Sequence, residues 1–307
     1  EEAAPVLKGL GKRSLSGLQV ARDLVRLYID PKKYKEAALI LNGILEQGPA
    51  SRDLNYLLGV AYEGLQDPDR AILEMKKLSS GDRFYRDAVV RIAFLYQDQK
   101  KINKAIAHMR QAITASPDTA EFYFYLGTLY EDNSALEDAL ATLLQGQAKA
   151  PDNIKIQFRL GVVYDKMGDK EQSIAAMKRV IQMDGKHASA LNYLGYTYAD
   201  LGKNLDEAEA LIVKALKFKP NDGYITDSLG WVYFKQGRYA EALKILLEAV
   251  ELVSDDPIIL EHLGDAYLKQ KNRRKALESY RRALKVKKED REELDKKIRE
   301  LTGGPAE

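Results

Sequence analysis

The chain has 307 residues, 45% hydrophobic and 31% charged, with 48 basic and 46 acidic side chains and a net charge of +2. That composition belongs to folded, water-soluble proteins and speaks against disorder, while the balanced charge excludes a general field for drawing in nucleic acid or an anionic membrane. Absence of cysteine rules out disulfides, thiolate metal sites and a cysteine nucleophile, and leaves the compartment open.

Residues 1–17 are short and irregular, and they begin at Glu1. They carry neither a basic-then-apolar leader nor an apolar run able to span a bilayer, so they read as the remnant of an upstream segment and the chain as a processed piece. From residue 18 the sequence repeats itself every 34 residues. Tyrosines recur at Tyr28, Tyr62, Tyr96, Tyr130, Tyr164, Tyr198, Tyr233 and Tyr267, with a single step of 35. Three residues before each stands a small or short residue, Val25, Gly59, Ala93, Gly127, Gly161, Gly195, Gly230 or Gly264. Leucine or isoleucine precedes that residue, and an alanine, or Ser173, follows the tyrosine by nine or ten.

Apolar residues at i, i+3, i+4 and i+7 form one face of a first helix, and the small residue within that face lets a second helix approach closely. The spacing therefore predicts eight helical hairpins starting at residues 18, 52, 86, 120, 154, 188, 223 and 257 and ending at residue 290. Pro49, Pro117, Pro151 and Pro220 stop second helices; Gly185, Ser254 and Lys288 hold the same place without that constraint. The one extra residue falls in Gly202-Lys203-Asn204-Leu205, a turn that tolerates insertion. In the last segment, 291–307, the stretch from Asp290 to Leu301 reads as a charged helix with Leu294, Ile298 and Leu301 on one stripe, ended by Gly303-Gly304-Pro305. It is expected to cap the array.

This pattern resembles the tetratricopeptide repeat. In the fourth unit it reads Tyr123, Leu126, Gly127, Tyr130, Ala139, Leu143, Gly146 and Pro151. The resemblance implies an all-α fold, a right-handed solenoid of about eight units plus a C-terminal capping helix, whose hairpins stack because none can bury its apolar face alone. It also implies a concave groove lined by first-helix positions. At the fifth position of each unit stand Arg22, Tyr56, Val90, Phe124, Phe158, Asn192, Asp227 and Glu261. At the ninth stand Arg26, Val60, Phe94, Thr128, Val162, Tyr196, Trp231 and Asp265. The middle is apolar and aromatic and both ends are charged. With a third of each groove aromatic left open, about 400 Å² of apolar surface is expected, the size that marks an interaction site. The competing reading is that these positions only pack against the next hairpin. No unit has the lysine and asparagine pair of the family's chaperone-tail clamp.

Catalytic chemistry is not expected. His108, His187 and His262 lie in different units at no metal-ligand spacing, and Gly9-Leu10-Gly11-Lys12-Arg13-Ser14 lacks the glycine and hydroxyl of a phosphate loop. The chain is expected to take no cofactor and to bind no nucleic acid. Lys271, Arg273, Arg274, Lys275, Arg281, Arg282, Lys285, Lys287 and Lys288 form a basic stretch, but Glu278, Glu289, Asp290, Glu292 and Glu293 interleave it, which favours a solvated face over a polyanion site.

Two units are more distinctive than the repeat itself: Leu191-Asn192-Tyr193-Leu194-Gly195-Tyr196-Thr197-Tyr198-Ala199-Asp200, then Asp227-Ser228-Leu229-Gly230-Trp231-Val232-Tyr233. They resemble bacterial outer-membrane tetratricopeptide lipoproteins, among them the adaptor that presents periplasmic substrates to a carboxy-terminal processing protease. The resemblance implies a non-catalytic scaffold in the periplasm, partnered by a protease or assembly enzyme and its clients, and meeting the membrane only through a lipid anchor outside this piece. The alternatives are the recognition arm of a larger enzyme, and a cytoplasmic location.

Overall fold

The computed structural model describes residues 33–46 and 51–303, which contain sixteen α-helices and no strand. The chain divides into two compact units, Glu1–Pro151 and Asp152–Glu307. Residues 1–32 lie outside the described residues, and with them the first helix of the first repeat, Arg22 and Arg26; so do Pro49 and the tail after Gly303.

In unit 1 the helices are α1 (Tyr34–Leu45), α2 (Arg52–Gly64), α3 (Pro68–Met75), α4 (Tyr85–Asp98), α5 (Ile102–Ala115), α6 (Ala120–Asp132) and α7 (Leu136–Lys149). Unit 2 holds α8 (Ile154–Lys166), α9 (Lys170–Met183), α10 (Ala188–Asp200), α11 (Leu205–Phe218), α12 (Gly223–Lys235), α13 (Tyr239–Leu252), α14 (Pro257–Lys269), α15 (Arg273–Val286) and α16 (Glu292–Thr302). Each unit is an α-solenoid of stacked hairpins. First helices begin within one residue of every predicted start from residue 52 onward, and second helices stop two residues before Pro117, Pro151 and Pro220.

Close approach inside each hairpin follows from the small residue. A Cβ on Gly127 would meet Leu143, and on Gly230 would meet Leu246, at 2.6 Å. The alanines opposite, Ala71, Ala105, Ala139, Ala208, Ala242 and Ala276, expose nothing, and neither does Ser173. Among the described residues, the hairpin turns of the second to eighth repeats all close by one device. The carbonyl of the recurring tyrosine accepts the N–H five residues on, as in Asp67 to Tyr62, Lys101 to Tyr96, Asp169 to Tyr164 and Asn272 to Tyr267. This is the 6→1 bond of a Schellman ending, and it needs a left-handed residue just before the donor. Gln66, Lys100, Ser134, Gly168, Gly202, Gly237 and Lys271 take that conformation at matching places, although only three are glycine. In the sixth repeat Asn204 adds a second left-handed residue, which absorbs the insertion before α11 begins.

The recurring tyrosines divide. Tyr62, Tyr198 and Tyr267 are buried, whereas Tyr96, Tyr130, Tyr164 and Tyr233 are half-buried. A cation from the second helix or its flanks covers several rings: Arg70 over Tyr62 at 4.4 Å, Arg238 over Tyr233 at 3.9 Å and Lys275 over Tyr267 at 5.2 Å. The second repeat is irregular. Its second helix, α3, ends after 8 residues where those of the third to eighth repeats run 14, and Lys76 to Phe84 follow as turns. A surface cleft of about 350 Å³ opens beside it, lined by Met75, Leu78, Val89, Ile92 and His108 among others. Burial holds the His108 imidazole down at about 4, so the ring is neutral at physiological pH.

The C-terminal helix α16 continues the 34-residue register and buries Leu294 and Ile298 completely, with Leu301 packed beside them against Tyr280 and Leu284. Gly303 ends it in the left-handed conformation.

Candidate functional site

First-helix residues flanking the core stripe are the candidates, and their burial varies sharply. In unit 1, Tyr56 is 8% exposed, because Phe84, from the turn before α4, stacks on it at 4.6 Å and Arg91 donates to its hydroxyl at 3.2 Å. Arg91 is itself held by Glu63 at 2.8 Å. The expected open ring at Tyr56 is therefore corrected to a sealed one. Val60, Val90 and Thr128 are half-buried. Phe94 stays 47% exposed, and the edge of Tyr125 meets it at 5.5 Å while Phe124 meets Tyr125 at 5.2 Å. Three aromatic rings from α4 and α6 thus form one platform, with Phe94 exposed and Phe124 and Tyr125 half-buried. Tyr125, at the sixth position of its repeat, was not among the sequence candidates.

In unit 2, Phe158 is half-buried between the rings of His187 at 5.3 Å and Tyr193 at 6.2 Å. Val162, Asn192 and Tyr196 are half-buried, and the Asn192 Oδ1 is buried without a hydrogen-bond partner. Burial and then the charges of Asp200, Asp227, Glu261 and Asp165 raise the Tyr196 hydroxyl above its usual range. Trp231 departs from expectation. It is only 9% exposed, stacked between Phe234 at 4.9 Å and His262 at 4.1 Å, and its Nε1 finds no acceptor. Asp227 is 5% exposed, with both carboxylate oxygens 3.0 Å from the His262 Nδ1. His262, read from sequence as a lone packing residue, joins α10, α12 and α14 in one layer, since the Tyr196 ring lies 6.4 Å away.

Glu261 and Asp265 stand at a charged end of the expected groove, where free carboxylates would draw a basic guest. Instead Lys297 of α16 places its ammonium 2.8 Å from Glu261 and 2.9 Å from Asp265, and Lys287 lies 3.8 Å from Glu261. Burial disfavours the Lys297 charge, but Asp265 and Glu261 outweigh it and raise its pKa. The Tyr280 hydroxyl also donates to Asp265 at 2.6 Å. The capping helix thus supplies from within the chain the cation those carboxylates need, and the three acidic groove residues are corrected from free recognition charges to partnered structural ones. Among the described residues no group of three His, Asp or Glu side chains could hold a metal ion.

These surfaces belong to a known repeat class. A tetratricopeptide repeat model matches residues 22–79, 91–154 and 158–223, more than half of the chain, and further tetratricopeptide models match residues 230–271 and 257–290. The chain belongs to the tetratricopeptide repeat family. A TPR repeat-containing protein, PA4667 of Pseudomonas aeruginosa, is 46% identical over 66 residues, which cover 22% of this chain and only 11% of that relative. A tetratricopeptide repeat protein from Parabacteroides merdae has a similar structure, with a TM-score of 0.64 at 14% identity over 82% of this chain and 99% of its own. The Cut9–Hcn1 hetero-tetramer of the APC/C gives 0.65 at 17% identity, over 98% of this chain and 58% of the other. At such identities the likeness is one of fold. Tetratricopeptide proteins generally mediate protein–protein interaction, and the fold is typically a non-catalytic scaffold.

Proposed function

We propose that the chain is a non-catalytic scaffold that holds a polypeptide partner on first-helix positions, presenting it to a second protein such as a periplasmic processing protease or an envelope assembly enzyme. The observation that carries this reading is the platform of Phe94, Tyr125 and Phe124. Phe94 keeps 47% of its surface in solvent although the equivalent Trp231 and the nearby Tyr56 are sealed by stacking partners. Aromatic rings on rigid helices give large contact area at little entropic cost and serve as the usual anchors of interfaces. The periplasmic, outer-membrane-associated location rests on the resemblance of the sixth and seventh repeats. Holding two proteins on one scaffold raises their effective concentration.

A photoreactive phenylalanine analogue placed at position 94 is expected to cross-link a defined polypeptide, while the same analogue at Leu73, 61% exposed on the second helix α3, does not. Phe94→Ala with Tyr125→Ala should then weaken that partner by at least tenfold, as two anchors of about 1 kcal/mol or more each imply. Equal cross-linking from position 73, or unchanged affinity of the double variant, moves the binding surface elsewhere.

A further inference from the structure

The fold sorts charges that alternate in the sequence. Helix α15 carries Arg273, Arg274, Lys275, Arg281, Arg282 and Lys285 against a single acid, Glu278. Its other face, with Ala276, Ser279, Tyr280, Ala283 and Leu284, is buried, so all six cations are exposed. None lies within ion-pair distance of a carboxylate among the described residues: Arg273 and Arg282 reach only the carbonyls of Leu301 and Ser254, and Lys275 only the Tyr267 ring. Of the acids that interleave this stretch in sequence, Glu278 stays on α15, while Glu292 and Glu293 are placed elsewhere. Glu292, Glu293 and Glu300 line a cavity with Lys296 and Lys297, on the side where Lys297 bonds Glu261 and Asp265. Neighbouring α13 does expose Glu248 and Glu251, but one helix spacing away, roughly a Debye length at physiological salt. The dilution expected from sequence alone is thus largely undone by packing.

We infer that the exposed face of α15 docks on an anionic phospholipid surface. The face holds no exposed aromatic, amide or hydroxyl side chain, so it senses negative charge density and reads neither bases nor a peptide sequence. Arg274, Arg281 and Arg282 suit phosphate, whose oxygens accept the paired donors of a guanidinium. The helix is a straight ridge about 21 Å long, which meets the plane of a bilayer along its whole length, whereas duplex phosphates spiral away from it and an acidic polypeptide offers none. No described helix is long and apolar enough to cross a membrane, so the contact is peripheral. This surface is separate from the aromatic platform and stands or falls without it.

The test is co-sedimentation of the full chain with vesicles of mixed phosphatidylglycerol and phosphatidylcholine, and with phosphatidylcholine alone. Binding is expected to the anionic vesicles only and to vanish at high salt. Each basic residue near such a surface contributes roughly fivefold to partitioning. Arg274→Gln, Arg281→Gln and Lys285→Gln together should therefore lower it roughly a hundredfold with unchanged circular dichroism, while Lys104→Gln with Arg110→Gln in unit 1 should not. No binding at low salt, or equal binding by the triple variant, overturns the inference. Tighter binding of duplex DNA or polyglutamate than of the anionic vesicles also overturns it, and assigns the face to another class of partner.

Discussion

Replacing His262 with leucine is expected to lower the melting temperature by roughly 6–20 °C, from a loss of about 3–5 kcal/mol. Among the described residues the imidazole is the sole hydrogen-bond partner of the Asp227 carboxylate, and both side chains are more than nine-tenths buried. Removing it leaves a desolvated carboxylate with nothing to donate to it, and takes from the Trp231 indole one of its two stacking faces. A second substitution distinguishes this from loss of packing. His262→Leu with Asp227→Leu removes the polar pair altogether, and buried pairs replaced by apolar groups are often neutral or better. The double variant should therefore melt higher than the single one. Thermal denaturation followed by circular dichroism decides: a single variant that melts with the wild type, or a double variant that melts lower still, shows that the pair does not hold this layer together.

Gly195→Leu is expected to cost about 3 kcal/mol or more and to lower the melting temperature by roughly 6–12 °C. The Cβ alone would stand 2.6 Å from Ile212 Cγ1 and 2.9 Å from the Ala208 carbonyl oxygen. The second contact decides the size of the effect, because a helix backbone cannot step aside as a side chain can. At Gly161 the nearest atom is the flexible end of Met177, at 2.6 Å, and no backbone atom is among the closest. Gly161→Ala should consequently be milder than Gly195→Ala. Melting temperatures in the reverse order would mean that the hairpins are not set by this backbone approach.

The repeat boundaries were readable because each rests on a local cause: a small residue where helices touch, an alanine opposite, a proline after the second helix. The early end of α3 also had a signal, Ser79-Ser80-Gly81-Asp82, a cluster of turn formers in place of helical sequence. Four of the seven left-handed turn residues were hidden, since Gln66, Lys100, Ser134 and Lys271 carry no glycine to mark them. Register told which residues flank the core stripe, and left open what covers them. Tyr56 is closed by Phe84, from the turn that ends its own repeat, and Trp231 by His262 of the following repeat, partners that stand at no groove position of the consensus. Glu261 and Asp265 are neutralised by Lys297, some 32 to 36 residues on, from a helix whose sequence suggested only a solvated cap. Tyr125 was missed because only the fifth and ninth positions of each unit were read as groove-lining.

The shortened α3 gives unit 1 a mechanical fuse. In a stacked array, tension applied along the chain is borne by each hairpin's contacts with its immediate neighbours. Between the second and third repeats, the second-helix layer is replaced by the turns from Lys76 to Phe84 and the adjoining cleft. Load there passes through the shortened α3 and its contact with α4, with Phe84 clasped on Tyr56 as the catch. A tug on a scaffold held at both ends is therefore relieved by paying out slack at this joint first, while the platform of Phe94, Tyr125 and Phe124 beyond it keeps its shape.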